Sequence, residues 1–195
     1  MGKWARFIFW VVAIIIGRLF DAYTTLLYTP DLKKEGNPIV HIFGGGWNAI
    51  IVVQIVVVAL VVYGLYFYTF KFKTVLPAET GLTFKQYVSF FCFRDKDSFH
   101  QIWYRRIVYK PGLMAVFGYV TTGTLIFASY LVGISTAFLI LIPAYKPYYR
   151  MGVPFLLLAT AVIAMLYFSY RFFKVEYDKY RLVSETVIQY SQRVN

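Results

Sequence analysis

Four long apolar blocks alternate with shorter polar stretches along this chain, at about residues 7–28, 47–70, 113–142 and 154–173. Each is close to or above the roughly 20 residues a helix needs to cross a bilayer. The first block follows the basic start MGKWAR, as in a signal peptide. No small-x-small cleavage site comes after it, and GRLFDAY stands there instead, so it reads as a retained first span. Trp4, Trp10 and Trp47, with Tyr63, Tyr66 and Tyr68, fall at block boundaries, where amphipathic rings suit the membrane interface. As one helix the third block would reach about 45 Å, beyond a hydrocarbon core of about 30 Å, so it must tilt, break or protrude. Pro154 suits the first turn of the fourth.

The polar stretches carry structure of their own. Thr83-Phe84-Lys85-Gln86 and Ser98-Phe99-His100-Gln101 both match the capping box, in which a hydroxyl and a side-chain amide satisfy free N–H groups at a helix start. They predict two short helices, about 84–93 and 99–110, ending before Pro111-Gly112. Tyr87, Phe90 and Phe91 lie along the first. Phe99, Ile102, Trp103 and Ile107 form an apolar face on the second, beside Arg105, Arg106 and Lys110. That pattern suits helices lying in the interface. In the tail, Phe173, Tyr177, Tyr180, Val183, Val187 and Tyr190 recur at steps of three and four, which predicts an amphipathic C-terminal helix covering the two short ones. Ser129, Gly133 and Ala137 repeat every four residues and predict a close packing seam, within the chain or between copies. The fold class expected is therefore an all-α membrane protein. It has four transmembrane helices, two short interfacial cytoplasmic helices and an amphipathic C-terminal helix, in one integral domain over 1–195.

Composition strengthens the membrane reading. The chain is 59% apolar and 15% charged, against about 45–50% and about 25% for soluble domains, and its mean hydropathy is +0.60. The net charge of +11 sits beside the apolar blocks, which favours anionic lipid headgroups as partners and not nucleic acid. The amino terminus, the 71–112 connection and the tail from Arg171 onward hold 15 of the 20 Lys and Arg residues. The positive-inside rule then places 71–112, the tail 174–195 and both termini in the cytoplasm of a bacterial inner membrane. Cys92 is the single cysteine, and His41 and His100 are far apart, so no disulfide, metal site or cofactor is expected.

The candidate chemistry lies at the other end of the first span. Arg18, Asp21 and Thr25 fall at i, i+3 and i+7, on one helix face. Ionisable groups at membrane depth are costly and mark a functional site by default. Thr24 adjoins them, and the loop beyond supplies Asp31, Glu35, Asn37, His41 and three glycines, with Asn48 opening the second span. Arg18, Asp21, Thr24, Thr25, Glu35 and Asn37 form the expected cluster; Asp31, His41 and Asn48 are possible loop contacts. A self-neutralised Arg18–Asp21 pair accounts for the same residues without a ligand.

Asp21-Ala22-Tyr23-Thr24-Thr25 followed by Glu35-Gly36-Asn37-Pro38 resembles the D-x-x-T-T … E-x-N-P pattern of small bacterial multi-span membrane proteins of unestablished function. The resemblance implies that Asp21, Thr24, Thr25, Glu35 and Asn37 act as one unit. The expected role is a membrane subunit or scaffold of a larger assembly or homo-oligomer, more than an enzyme. A small carrier or channel and an enzyme acting on a lipid-linked substrate are the alternatives.

Overall fold

The computed structural model describes residues 2–32, 46–104 and 107–194, without the side chains of Trp103 and 187–194; Glu35, Asn37 and His41 lie outside the described residues. The described chain is all-helical: α1 Lys3–Tyr28, α2 Trp47–Tyr66, α3 Phe84–Phe93, α4 Lys110–Leu141 and α5 Tyr145–Val194, with a π-helical turn Phe67–Lys71 and a 3-10 turn Phe99–Trp103. Four helices are long and apolar enough to cross a membrane: Lys3–Tyr28, Trp47–Lys71, Lys110–Leu141 and Tyr145–Thr186. These four mark an integral membrane protein. The sequence of α2, WNAIIVVQIVVVALVVYGLY, is rich in β-branched residues that favour strands in water. In hydrocarbon every backbone group must find its partner within the segment, and that requirement makes the helix.

Helix α4 is the hub, packing against α1, α2 and α5. Its approaches are close because small residues stand at the crossings. A Cβ added at Gly118 would lie 2.0 Å from the Gly64 carbonyl oxygen, so the α2 and α4 backbones touch there. A Cβ at Gly133 would meet the Phe20 ring at 2.6 Å. The expected seam thus lies within the chain: Ser129 and Gly133 are buried against α1, and Ala137 is half-buried. Helix α5 is broken once, at Gly152 with φ 143°, so Tyr145–Met151 forms a short helical turn where only a turn was expected. Beyond it the helix runs through Pro154 into the tail.

A buried hydrophobic cluster sits at one end of the bundle. Val75, Leu82, Tyr87, Phe91 and Cys92 pack against Ala115 of α4 and Phe172 and Tyr180 of α5. Arg6, near the start of the chain, shares a cavity at this end with Val175 of the tail. The capping box at Thr83 forms as expected: its side chain accepts from the Gln86 N–H, and the Gln86 side chain returns to the Thr83 N–H at 3.0 Å.

Two expectations hold only in part. Among the described residues of 99–110 there is no α-helix before Lys110, only the 3-10 turn Phe99–Trp103. Ser98 makes no side-chain cap, because its hydroxyl bonds the Asp95 carboxylate, and the 3-10 turn stops at Trp103. Residues 107–109 are non-helical, and α4 begins at Lys110 with Pro111 in its first turn. The buried face of the tail also differs in part from the stripe expected. Its fully buried positions are Phe172, Glu176, Tyr180 and Ser184. Of the expected stripe, Tyr180 is among them, Phe173 and Tyr177 are partly buried against the cluster, and Val183 is exposed.

Helix α3 carries the lone cysteine inward. Cys92 is 2% exposed, and burial pushes its thiol up to about 11. It therefore stays protonated, and shielded, at neutral pH. A maleimide should leave Cys92 unlabelled in detergent-solubilised protein at pH 7.5 and label it fully after denaturation in SDS. Gly118→Val should lower stability by about 1–3 kcal/mol or more through overpacking. Gly2→Ala, with nothing near its Cβ, should leave the melting temperature unchanged.

Candidate functional site

Arg18 and Asp21 lie one helical turn apart on the face of α1 that packs against α4. Arg18 Nη1 donates to Asp21 Oδ2 at 2.9 Å and to Ser129 Oγ at 3.2 Å. Ser129 in turn donates to the Leu125 carbonyl at 2.7 Å. The two charged side chains are 19% and 14% exposed, so the pair is largely desolvated. Arg18 Nε is buried with no hydrogen-bond partner. The packing explains the position: Gly17 and Gly133 let α1 and α4 close up, which brings Ser129 within reach of the guanidinium.

The remaining expected residues do different things. Thr24 Oγ1 donates back to the Phe20 and Asp21 carbonyls of its own helix. The Thr25 carbonyl accepts the Thr29 N–H at 2.8 Å, where α1 ends. Thr29 Oγ1 donates to Asp31 Oδ1 at 3.4 Å, and Trp47 Nε1 donates to the Pro30 carbonyl at 2.8 Å, tying the loop's start to the first residue of α2. Asn48 is exposed. Among the described residues, Arg18, Asp21 and Ser129 thus form a polar link between α1 and α4. The guanidinium is engaged by a carboxylate and a hydroxyl of the same chain.

A second polar centre, at the opposite end of the bundle, went unread in the sequence. Glu176 is 0% exposed. Its Oε1 accepts from Lys179 Nζ at 2.5 Å, while Oε2 has no hydrogen-bond partner. Burial, then the Glu176 carboxylate and Tyr109, push the Tyr87 phenol well above the ordinary tyrosine range. Around this centre the tail holds the chain before α3 by its backbone. Tyr180 Oη donates to the Glu79 carbonyl at 2.8 Å and accepts the Leu82 N–H at 3.0 Å. Tyr177 Oη donates to the Leu82 carbonyl at 3.1 Å, and the Gly81 N–H donates to Ser184 Oγ at 3.2 Å. Tyr87 Oη donates to the Val75 carbonyl at 3.2 Å. The available signal was spacing: Phe172, Glu176, Tyr180 and Ser184 stand four residues apart, which puts the carboxylate on the same face as two aromatic rings.

Among the described residues no three metal-ligating side chains converge. Comparison of the chain with protein-family models, curated proteins and solved structures returns no significant match.

Breaking a buried pair by removing one partner costs more than replacing both, because it strands a charge. Asp21→Asn should therefore destabilise the protein by about 2–4 kcal/mol, and Arg18→Leu/Asp21→Leu by less, as read by thermal unfolding in detergent. Lys179→Ala should cost about 1–3 kcal/mol, the smaller figure reflecting a lysine that is half exposed, and adding Glu176→Leu should restore most of it.

Proposed function

We propose that this protein is an integral membrane subunit or scaffold that presents a rigid polar platform at one end of a four-span bundle. The observation that carries this reading is the clamp between the tail and residues 75–93. Helix α5 continues from its span into a buried ladder whose tyrosines bind the backbone of the preceding connection. A platform fixed to its span in this way holds a partner at a set height and angle. The basic residues of this end favour the cytoplasmic side for it and for both termini by the positive-inside rule, with the Arg18 end outside.

The spans supply the surface for assembly. Phe155, Leu158 and Ile163 of α5 stand open on the bundle's flank, at 79%, 65% and 65% exposure. They face lipid or the helices of other subunits, a second copy of the chain included. A carrier would need its charged cluster free for a solute, and an enzyme on a lipid-linked substrate would use the guanidinium to hold a phosphate. Arg18 is instead engaged by Asp21 and Ser129, so both alternatives draw less support.

Two measurements test the proposal. Purified in a mild detergent, the protein should run as a complex or oligomer by light scattering; a well-behaved monomer that recruits nothing removes the reading. For orientation, Lys96→Cys and Lys146→Cys in a Cys92→Ser background should react with an impermeant maleimide on opposite faces of membrane vesicles, Lys96→Cys on the cytoplasmic one.

A further inference from the structure

The cytoplasmic-end cavity differs in chemistry from the rest of the bundle. It has a volume of about 230 Å³ and lies among α1, the end of α2, α4 and α5. Trp10, Leu65 and Phe168 make an apolar side, while Arg6, Tyr68 and Tyr119 make a polar one. Tyr68 belongs to the π-helical turn Phe67–Lys71, a distortion that often accompanies a functional site. Arg171, one turn beyond Phe168, lies close to the Tyr119 hydroxyl, and Arg6 stands close enough to act electrostatically on both phenols.

The charge balance at this cavity is uneven. Several cations at this end are paired, Lys96 with Glu79, Lys174 with Asp178, Lys179 with Glu176 and Arg181 with Glu185, while among the described residues Lys71 and Lys85 have no carboxylate partner. Among the described residues neither Arg6 nor Arg171 has a carboxylate partner, and both are exposed. One guanidinium, that of Arg6, lines the cavity, and a second, that of Arg171, stands beside Tyr119 of its wall. Arginine's planar fork suits phosphate oxygens, and a phenol adds a neutral donor. The apolar wall behind them suits the start of an acyl chain, so the occupant is amphiphilic.

We propose that this cavity binds the headgroup of an anionic phospholipid. Arg6 and Arg171 hold the phosphate, Tyr119 hydrogen-bonds one of its oxygens, and the glycerol end lies against Trp10, Leu65 and Phe168. The site rests on the spans crossing a bilayer but not on any protein partner, so it stands or falls separately from the scaffold reading. A free phosphate shares the headgroup's charge chemistry but has nothing to place against the apolar wall.

Native mass spectrometry of the detergent-solubilised full chain tests it, with dioleoylphosphatidylglycerol, dioleoylphosphatidylcholine and inorganic phosphate as probes. Wild-type protein should retain the anionic lipid about tenfold better than the zwitterionic one. Arg6→Gln/Arg171→Gln should abolish that preference, and Tyr119→Phe, which changes no charge, should weaken it severalfold. Lys85→Gln, an exposed cation on the same end, should leave it intact. Millimolar inorganic phosphate should not displace the lipid. The proposal is overturned if the double variant keeps the preference, if Lys85→Gln loses it equally, or if phosphate alone competes the lipid off. Unchanged melting of the double variant shows that the fold is preserved.

Discussion

An extended stretch of backbone held against a helix must find partners for its N–H and C=O groups, because an unpaired buried group costs about 1–3 kcal/mol. Between the π-helical turn and α3 this chain has no regular structure over residues 72–83, yet Val75 and Leu82 are buried. Among the described residues no strand lies alongside to supply a ladder. Side chains supply it instead: Tyr177, Tyr180 and Ser184 from the tail, and Tyr87 from α3. A tyrosine suits the task, since its ring joins the apolar cluster while its hydroxyl both donates and accepts. Tyr180 uses both capacities, on Glu79 and Leu82.

The two ends of the bundle are consequently built on different physics. Through the spans, contact with α4 comes from missing side chains, as at Gly64, Gly118 and Gly133, where backbones or rings fill the space a Cβ would take. Without a hydrophobic drive between helices in lipid, such close packing and a few polar links hold a bundle together. The Arg18–Asp21–Ser129 cluster is one of those links. At the other end, rings pack on rings: Tyr68, Phe91, Tyr119 and Phe173 surround Phe172 at centroid distances between 5.4 and 5.8 Å. Such pairs add to the energy of burial. Helix α5 joins the two regimes, since it is largely open along its span and closely packed in its tail.

The spans were legible because length and hydropathy depend only on local composition, and the Thr83 cap because its partner is three residues away. The cap expected at Ser98 failed to a competitor equally local, the Asp95 side chain. The tail was read as a helix with part of its buried face. Phe173, Tyr177 and Tyr180 do pack on the cluster, but Glu176 and Ser184 were missed and Val183 is exposed. A count of apolar positions passes over Glu176 and Ser184, so it drew the stripe on through Val183. At the candidate site the Arg18–Asp21 pairing followed from helical spacing. Ser129 was read only as a small packing residue, because its bond to Arg18 spans 111 positions and depends on how α1 meets α4. Long-range contacts of that kind leave no mark on local pattern.

Hydrogen–deuterium exchange on Tyr180→Phe tests the tail clamp most directly, since the substitution keeps the ring and removes the one hydroxyl that serves two backbone groups. Exchange at Leu82 and through α3 should accelerate about tenfold or more, with the four spans unchanged. Exchange through residues 81–93 equal to that of the wild type would contradict the claim that the tail holds this end of the protein together.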